Sequence, residues 1–116
     1  MKKVGLENKA HTLAQDLSYG QKKLVEILKV MMSEAEMIFL DEPFSGLYPE
    51  MIKVITGLIR ELVDQGKTIV LVEHNMKLIE EICDRVIVLD FGEKIAEGGF
   101  GEVRANKKVI EAYLGY

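Results

Sequence analysis

Tryptophan is absent from this 116-residue chain, and cysteine and proline are scarce, at one Cys and two Pro. A single cysteine, Cys83, excludes an internal disulfide and fits a reducing compartment. It closes the apolar stretch Leu78-Ile79-Glu80-Glu81-Ile82-Cys83, where a small buried hydrophobe is expected rather than a reactive thiol. Long hydrophobic runs are missing as well. The longest are Met37–Leu40, Ile69–Val72 and Val86–Leu89, far short of the roughly 20 residues that a bilayer-spanning helix needs. The N-terminal Met1-Lys2-Lys3-Val4-Gly5-Leu6-Glu7 turns polar before the core of a signal peptide forms, so no direct membrane insertion is expected. Basic excess is the remaining absence. Asp and Glu total 19 against 15 Lys and Arg, a net charge of -4. With no basic cluster longer than Lys22-Lys23 or Lys107-Lys108, a nucleic-acid partner is not expected.

What is present has the balance of a globular chain, 48% apolar and 29% charged. There is no internal repeat, low-complexity tract or Pro/Gly/Ser linker, which predicts one domain over 1–116. Leu24, Ile27, Leu28 and Met31 recur at spacings of three and four and predict a helix over 18–34, with Ser18 as its N-cap. Met37–Leu40 reads as a short strand buried on both faces. Pro49 suits the first position of the next helix, whose stripe is Ile52, Ile55, Leu58, Ile59 and Leu62 and whose stop is Gly66. A strand over Thr68–Val72, a helix over about 76–83 and a strand over Arg85–Asp90 follow. Phe91-Gly92 then turns the chain into a hairpin through Lys94–Ala96, and a last helix covers about 106–114. Strands alternating with helices require crossovers, so the fold class is α/β with a mostly parallel sheet.

Ligands of parallel sheets bind at the carboxyl ends of the strands. Asp41 and Glu42 end the first strand there, and Glu73-His74 ends the second. Asp41 offers the hard oxygen that Mg²⁺ prefers, and Glu42 can polarise an attacking water. Read alone, the pair is equally two solvated acids that stop a strand. His74 can hydrogen-bond a phosphate oxygen and, when protonated, favour its charge. Leu17-Ser18-Tyr19-Gly20-Gln21 opens a helix with a hydroxyl, a small residue and free amides, the makings of an anion site. By itself that segment reads better as an ordinary Ser N-cap with a turn glycine. His11, in a polar stretch, has no assigned role.

Order and spacing make these pieces specific. Leu-Ser-x-Gly-Gln, four apolar residues with Asp-Glu-Pro, then Ser-Gly-Leu, then a strand with Glu-His closely resembles the second half of ABC ATPases. On that resemblance Ser18–Gln21 is the signature motif, Met37–Glu42 the Walker B strand, Phe44–Leu47 the start of the D-loop and His74 the switch histidine. It runs from about Val4 nearly to the C-terminus. Tyr19, Val72-Glu73-His74-Asn75-Met76 and the ending Val109-Ile110-Glu111-Ala112-Tyr113-Leu114-Gly115 resemble the ATPase subunits of branched-chain amino-acid importers more finely. Lipopolysaccharide exporters carry similar signatures.

The resemblance implies a partial P-loop NTPase-like sheet with flanking helices, residues 1–35 lying in the signature subdomain and 36–116 in the core. It also implies a head-to-tail pair with a second ABC ATPase domain, or a homodimer, sandwiching two ATPs. Ser18, Gly20 and Gln21 would contact the γ-phosphate of partner-bound ATP. Asp41 would hold Mg²⁺, and Glu42 and His74 would serve catalysis on the ATP of their own subunit. Transmembrane permease subunits would take up the motion, placing the protein in the cytoplasm against the inner face of the cell membrane.

Three departures qualify this. No Gly-x-x-x-x-Gly-Lys-Ser/Thr occurs: Gly66-Lys67-Thr68 has Glu61 five positions earlier, and it follows a helix where a P-loop opens one. The Q-loop glutamine and adenine-stacking aromatic are also missing, Gln15 lying too near Leu17. The chain alone is therefore expected to bind no ATP or Mg²⁺ usefully and to hydrolyse none. Tyr48 stands where the family commonly has Asp or Asn, a poor N-cap. The strand that carries the P-loop in the family, between those equivalent to Thr68–Val72 and Arg85–Asp90, has no counterpart, leaving a gap or unpaired edges. The competing reading is a non-catalytic module that docks onto intact ABC ATPase domains as a regulator.

Overall fold

The computed structural model describes residues 5–12, 15 and 17–114. Val4 and Gly115, at the ends of the resemblance, lie outside the described residues. Two compact units make up the chain, one ending at Val72 and one beginning at Glu73.

The first unit contains α1 (Tyr19–Met31), β1 (Met37–Asp41), α2 (Pro49–Asp64) and β2 (Thr68–Val72). α1 is shorter than the 18–34 expected. Its end is marked by the Ser33 hydroxyl, which donates to the Val30 carbonyl at 2.7 Å and draws the chain out of the helix. Leu24 and Ile27 from α1, with Ile55, Leu58, Ile59 and Leu62 from α2, are buried where the two helices pack. Burying each such side chain is worth about 1.5–3 kcal/mol, so this helix pair dominates the unit's core.

α2 begins at Pro49, whose missing N–H costs nothing there. It ends in a Schellman motif, in which the Gly66 amide donates to Val63 and the Lys67 amide to Leu62, at 2.9 and 3.1 Å. Gly66 has φ +89, a left-handed conformation suited to glycine. The Lys67 ammonium donates to the Ala35 carbonyl at 2.6 Å and the Ser33 carbonyl at 3.4 Å. Gly66-Lys67-Thr68 is thus a helix-to-strand connection whose lysine clamps the entry to β1.

β1 and β2 pair in parallel, from Met37 opposite Thr68 to Asp41 opposite Val72. The expectation of a strand buried on both faces is corrected here. Ile38 and Leu40 are buried, whereas Met37 is 53% and Phe39 70% exposed. α2 packs against β2, and burial alternates along both strands, so one face of this two-stranded sheet is the covered one.

The second unit contains α3 (Met76–Ile82), β3 (Val86–Asp90), β4 (Glu93–Gly98), α4 (Phe100–Ala105) and α5 (Lys107–Val109), which runs into a π-helical turn at Ile110–Leu114. β3 and β4 form an antiparallel hairpin across Phe91 and Gly92, both with positive φ (46 and 80) as the right-handed strand twist demands. A shift in register between Val88 and Leu89 leaves Ile95 as a bulge. β4 is longer than expected, and α4 was not expected at all: Phe100 and Val103 repeat once, behind Gly98-Gly99, too briefly to register as a period. Lys94 Nζ donates to Glu97 Oε2 at 2.9 Å, and Arg85 Nη1 lies 3.6 Å from Oε1. The Lys94 hydrogen bond and charge, helped by Arg85, hold the Glu97 carboxyl below its usual pKa. Among the described residues, β2 pairs only with β1 and β3 only with β4.

Candidate functional site

The signature segment is built on α1's first turn. Ser18 Oγ accepts from the Gln21 amide at 3.2 Å, and Gln21 Oε1 accepts from the Ser18 amide at 3.0 Å, a complete capping box. Of the first-turn donors, Tyr19 and Gly20 are the amides that the box leaves to an incoming acceptor. Gly20 is buried, and a Cβ there would run into the thioether of Met51, with Leu47 Cδ2 at 3.7 Å. A Cβ on Gly46 would lie 3.3 Å from Tyr19 Cε1, and Gly46 has φ +74. Gly20 and Gly46 thus let segments about 30 residues apart touch: Tyr19 rests on Gly46, and Met51 at the start of α2 sits against Gly20.

Asp41 ends β1 with its side chain exposed. Glu42, one residue on, has φ +46, which few residues other than glycine adopt. Its amide donates to the Val72 carbonyl at 2.8 Å, one step beyond the ladder, and its carbonyl accepts from the Ser45 amide at 3.2 Å. Those bonds impose the turn, and a left-handed glutamate costs roughly 1–2 kcal/mol. Strain of this kind gathers where a side chain must be aimed. Among the described residues no three His, Cys, Asp or Glu side chains converge on a metal site. Mg²⁺ commonly takes one or two carboxylates and fills its octahedron from water and phosphate, so Asp41 fits the minimum.

His74 lies in the second unit, with its ring 73% exposed and Nδ1 3.8 Å from Glu73 Oε1. Glu73 Oε1 accepts from the backbone amides of His74 and Asn75 at 3.0 and 3.2 Å, holding the turn into α3. Asn75 Oδ1 then caps that helix from the Leu78 amide. Lys67's clamp, the Tyr19–Gly46 contact and Glu73's hold on the turn had no signal in the sequence beyond proximity to named motifs. Tyr48 makes no side-chain cap for α2, in keeping with the poor cap expected. Cys83 is half-buried at the end of α3, and burial, with Asp84 beside it, pushes its thiol pKa up, away from reactivity.

Residues 1–45 match the ABC transporter family, and residues 93–116 match the branched-chain amino acid ATP-binding cassette transporter family. The high-affinity branched-chain amino acid transport ATP-binding protein LivG of Salmonella typhimurium is 40% identical over 99% of this chain, and BraF of Pseudomonas aeruginosa 37% over the same share. The Nod factor export ATP-binding protein I of Rhizobium meliloti is 42% identical over 95%. This chain spans 46% of LivG and of BraF and 34% of the Nod factor protein. Among solved structures, a nucleotide-free ATP-binding cassette from an ABC transporter matches with a TM-score of 0.86 at 32% identity. The ADP conformation of another such cassette matches at 0.83 and 33%. Each covers 99% of this chain, which corresponds to 47% of that structure.

Proposed function

We propose that this chain, whose sequence and fold both match the C-terminal half of ABC transporter ATP-binding proteins, is the signature-to-switch part of an ATPase subunit serving branched-chain amino-acid transport. The observation that carries the reading is the end of β1, where Asp41 leaves a parallel strand and Glu42 is held left-handed by the Val72 carbonyl. The whole chain is read as one partial domain, residues 1–35 contributing to the signature subdomain and 36–116 to the core. Ser18, Gly20 and Gln21 would meet the γ-phosphate of an ATP held by a second ATPase domain. Asp41 would hold Mg²⁺, Glu42 would orient water and His74 would contact phosphate. Bound Mg-ATP would supply the electrophilic phosphorus and neutralise its charge. In a whole transporter the subunit would sit against permease subunits on the cytoplasmic face of the membrane. Among the described residues, no helix is long and apolar enough to cross it.

With no Gly-x-x-x-x-Gly-Lys-Ser/Thr in the sequence, this chain alone lacks the amides and lysine that cradle a triphosphate. The expected outcome is no phosphate release above background from pure chain with Mg-ATP. Turnover by pure chain that disappears in Glu42→Gln would overturn this reading. The exposed Ser18 and Tyr19 support a second reading, a non-catalytic module that docks onto intact ABC ATPase domains. Inhibition of an intact domain by the chain, lost in Ser18→Arg, would favour it.

A further inference from the structure

The second unit holds a cavity of about 390 Å³ that no step above uses. That volume falls within the range of about 300–1,000 Å³ typical of small-molecule sites. Ile79 of α3, Val88 of β3, and Phe100 and Val103 of α4 give it an apolar wall, and Glu73 belongs to the same wall. The Glu73 side chain is only 5% exposed. Its Oε1 is occupied by the amides of His74 and Asn75, but Oε2 is buried without any hydrogen-bond partner. A buried carboxylate oxygen left unpaired is costly, and a donor that reached it would recover that cost. Lys77, Glu80 and Arg104 also line the cavity. They are exposed residues, and water screens their charges in a way it cannot screen Glu73.

We propose that this cavity is a binding site for an organic ammonium ion with an apolar body, its N–H donated to Glu73 Oε2 and its hydrocarbon laid against Ile79, Val88 and Val103. The cation satisfies the buried Glu73 oxygen that, among the described residues, is left without a hydrogen-bond partner. The apolar body matches the rest of the lining. A neutral isostere of the same shape gains only the second contribution, and a carboxylate meets repulsion from Glu73.

The test uses the full chain and hexylammonium, with 1-hexanol and hexanoate as isosteres, titrated while amide chemical shifts are followed. Hexylammonium is expected to bind at least tenfold more tightly than 1-hexanol, with shifts confined to residues 73–113. In Glu73→Gln, which keeps the Oε1 acceptor for His74 and Asn75, the two should bind within about twofold of each other. Equal binding of hexylammonium and 1-hexanol to the unaltered chain overturns the proposal, as do a preference for hexanoate, shifts centred elsewhere, or no binding of any probe. If Glu73→Gln fails to fold, the three-probe comparison on the unaltered chain decides alone. The proposal is independent of the ATPase reading, since neither the probes nor the readout involves nucleotide.

Discussion

Glu42 is a residue whose backbone conformation the fold dictates. Its left-handed φ of 46 follows from the bonds of its amide to Val72 and of its carbonyl to Ser45. Glycine would relieve a strain of roughly 1–2 kcal/mol there, offset by about 0.4–1 kcal/mol from its freer unfolded chain. Glu42→Gly is therefore expected to raise stability by about 0.5–1 kcal/mol in urea unfolding. A lower urea midpoint at an unchanged slope would mean that the side chain's own interactions outweigh the strain. A glutamate kept at a position that favours glycine fits a carboxylate placed for chemistry rather than for stability. The glycines show the opposite case: Gly20 and Gly46 are small because Met51 and Tyr19 occupy the space beside them. Local spacing marked both as motif positions, but their neighbours became visible only once α1 and α2 had packed.

Among the elements, α2 carries the clearest defect. Tyr48 occupies its N-cap with no side-chain hydrogen bond to the first turn, and its ring is 76% exposed. An Asp in that position can accept from a first-turn amide and favour the positive end of the helix dipole. Tyr48→Asp is expected to add about 1 kcal/mol, read as a higher urea midpoint at unchanged slope. An unchanged midpoint would show that the first-turn amides are already satisfied by water. Helix periods were legible from the sequence: of the expected stripe, Ile55, Leu58, Ile59 and Leu62 are buried, and Ile52, in the first turn, is half-buried. Short elements were legible only in part. The last helix lies where it was expected, over about 106–114, although its π-helical end was not foreseen. α4 spans too few residues for a period, and packing against β3 and β4 decides it instead.

At the scale of the molecule, the strand faces stand out. Phe39 is 70%, Val72 55% and Leu89 55% exposed, on sheets of two strands each. Apolar faces and open strand edges together favour association. Size-exclusion chromatography with light scattering is expected to show assemblies larger than a monomer, with a distribution that Mg-ATP leaves unchanged. Phe39→Glu combined with Leu89→Lys should shift them toward monomer without altering the circular dichroism, since both side chains already face outward. A monomer across the concentration range would show that these faces are tolerated in water. Assembly that requires Mg-ATP would mean that nucleotide is held without a P-loop.

The order of helices and strands apart from α4, the cap at Ser18, the stop at Gly66 and the two acids at the end of β1 followed from sequence alone. Each rests on local rules: helical periodicity, side-chain capping, glycine's access to positive φ, and the alternation of helix and strand. The register of β1 on β2, the left-handed turn at Glu42, the Lys67 clamp and the unpaired oxygen of Glu73 were decided only by tertiary structure. They depend on which segments meet, and the sequence between those segments says little about that. Burial separates the two levels most plainly. The sequence of β1 is apolar on both faces, yet only Ile38 and Leu40 are covered, because a side chain's burial depends on the layer laid against it.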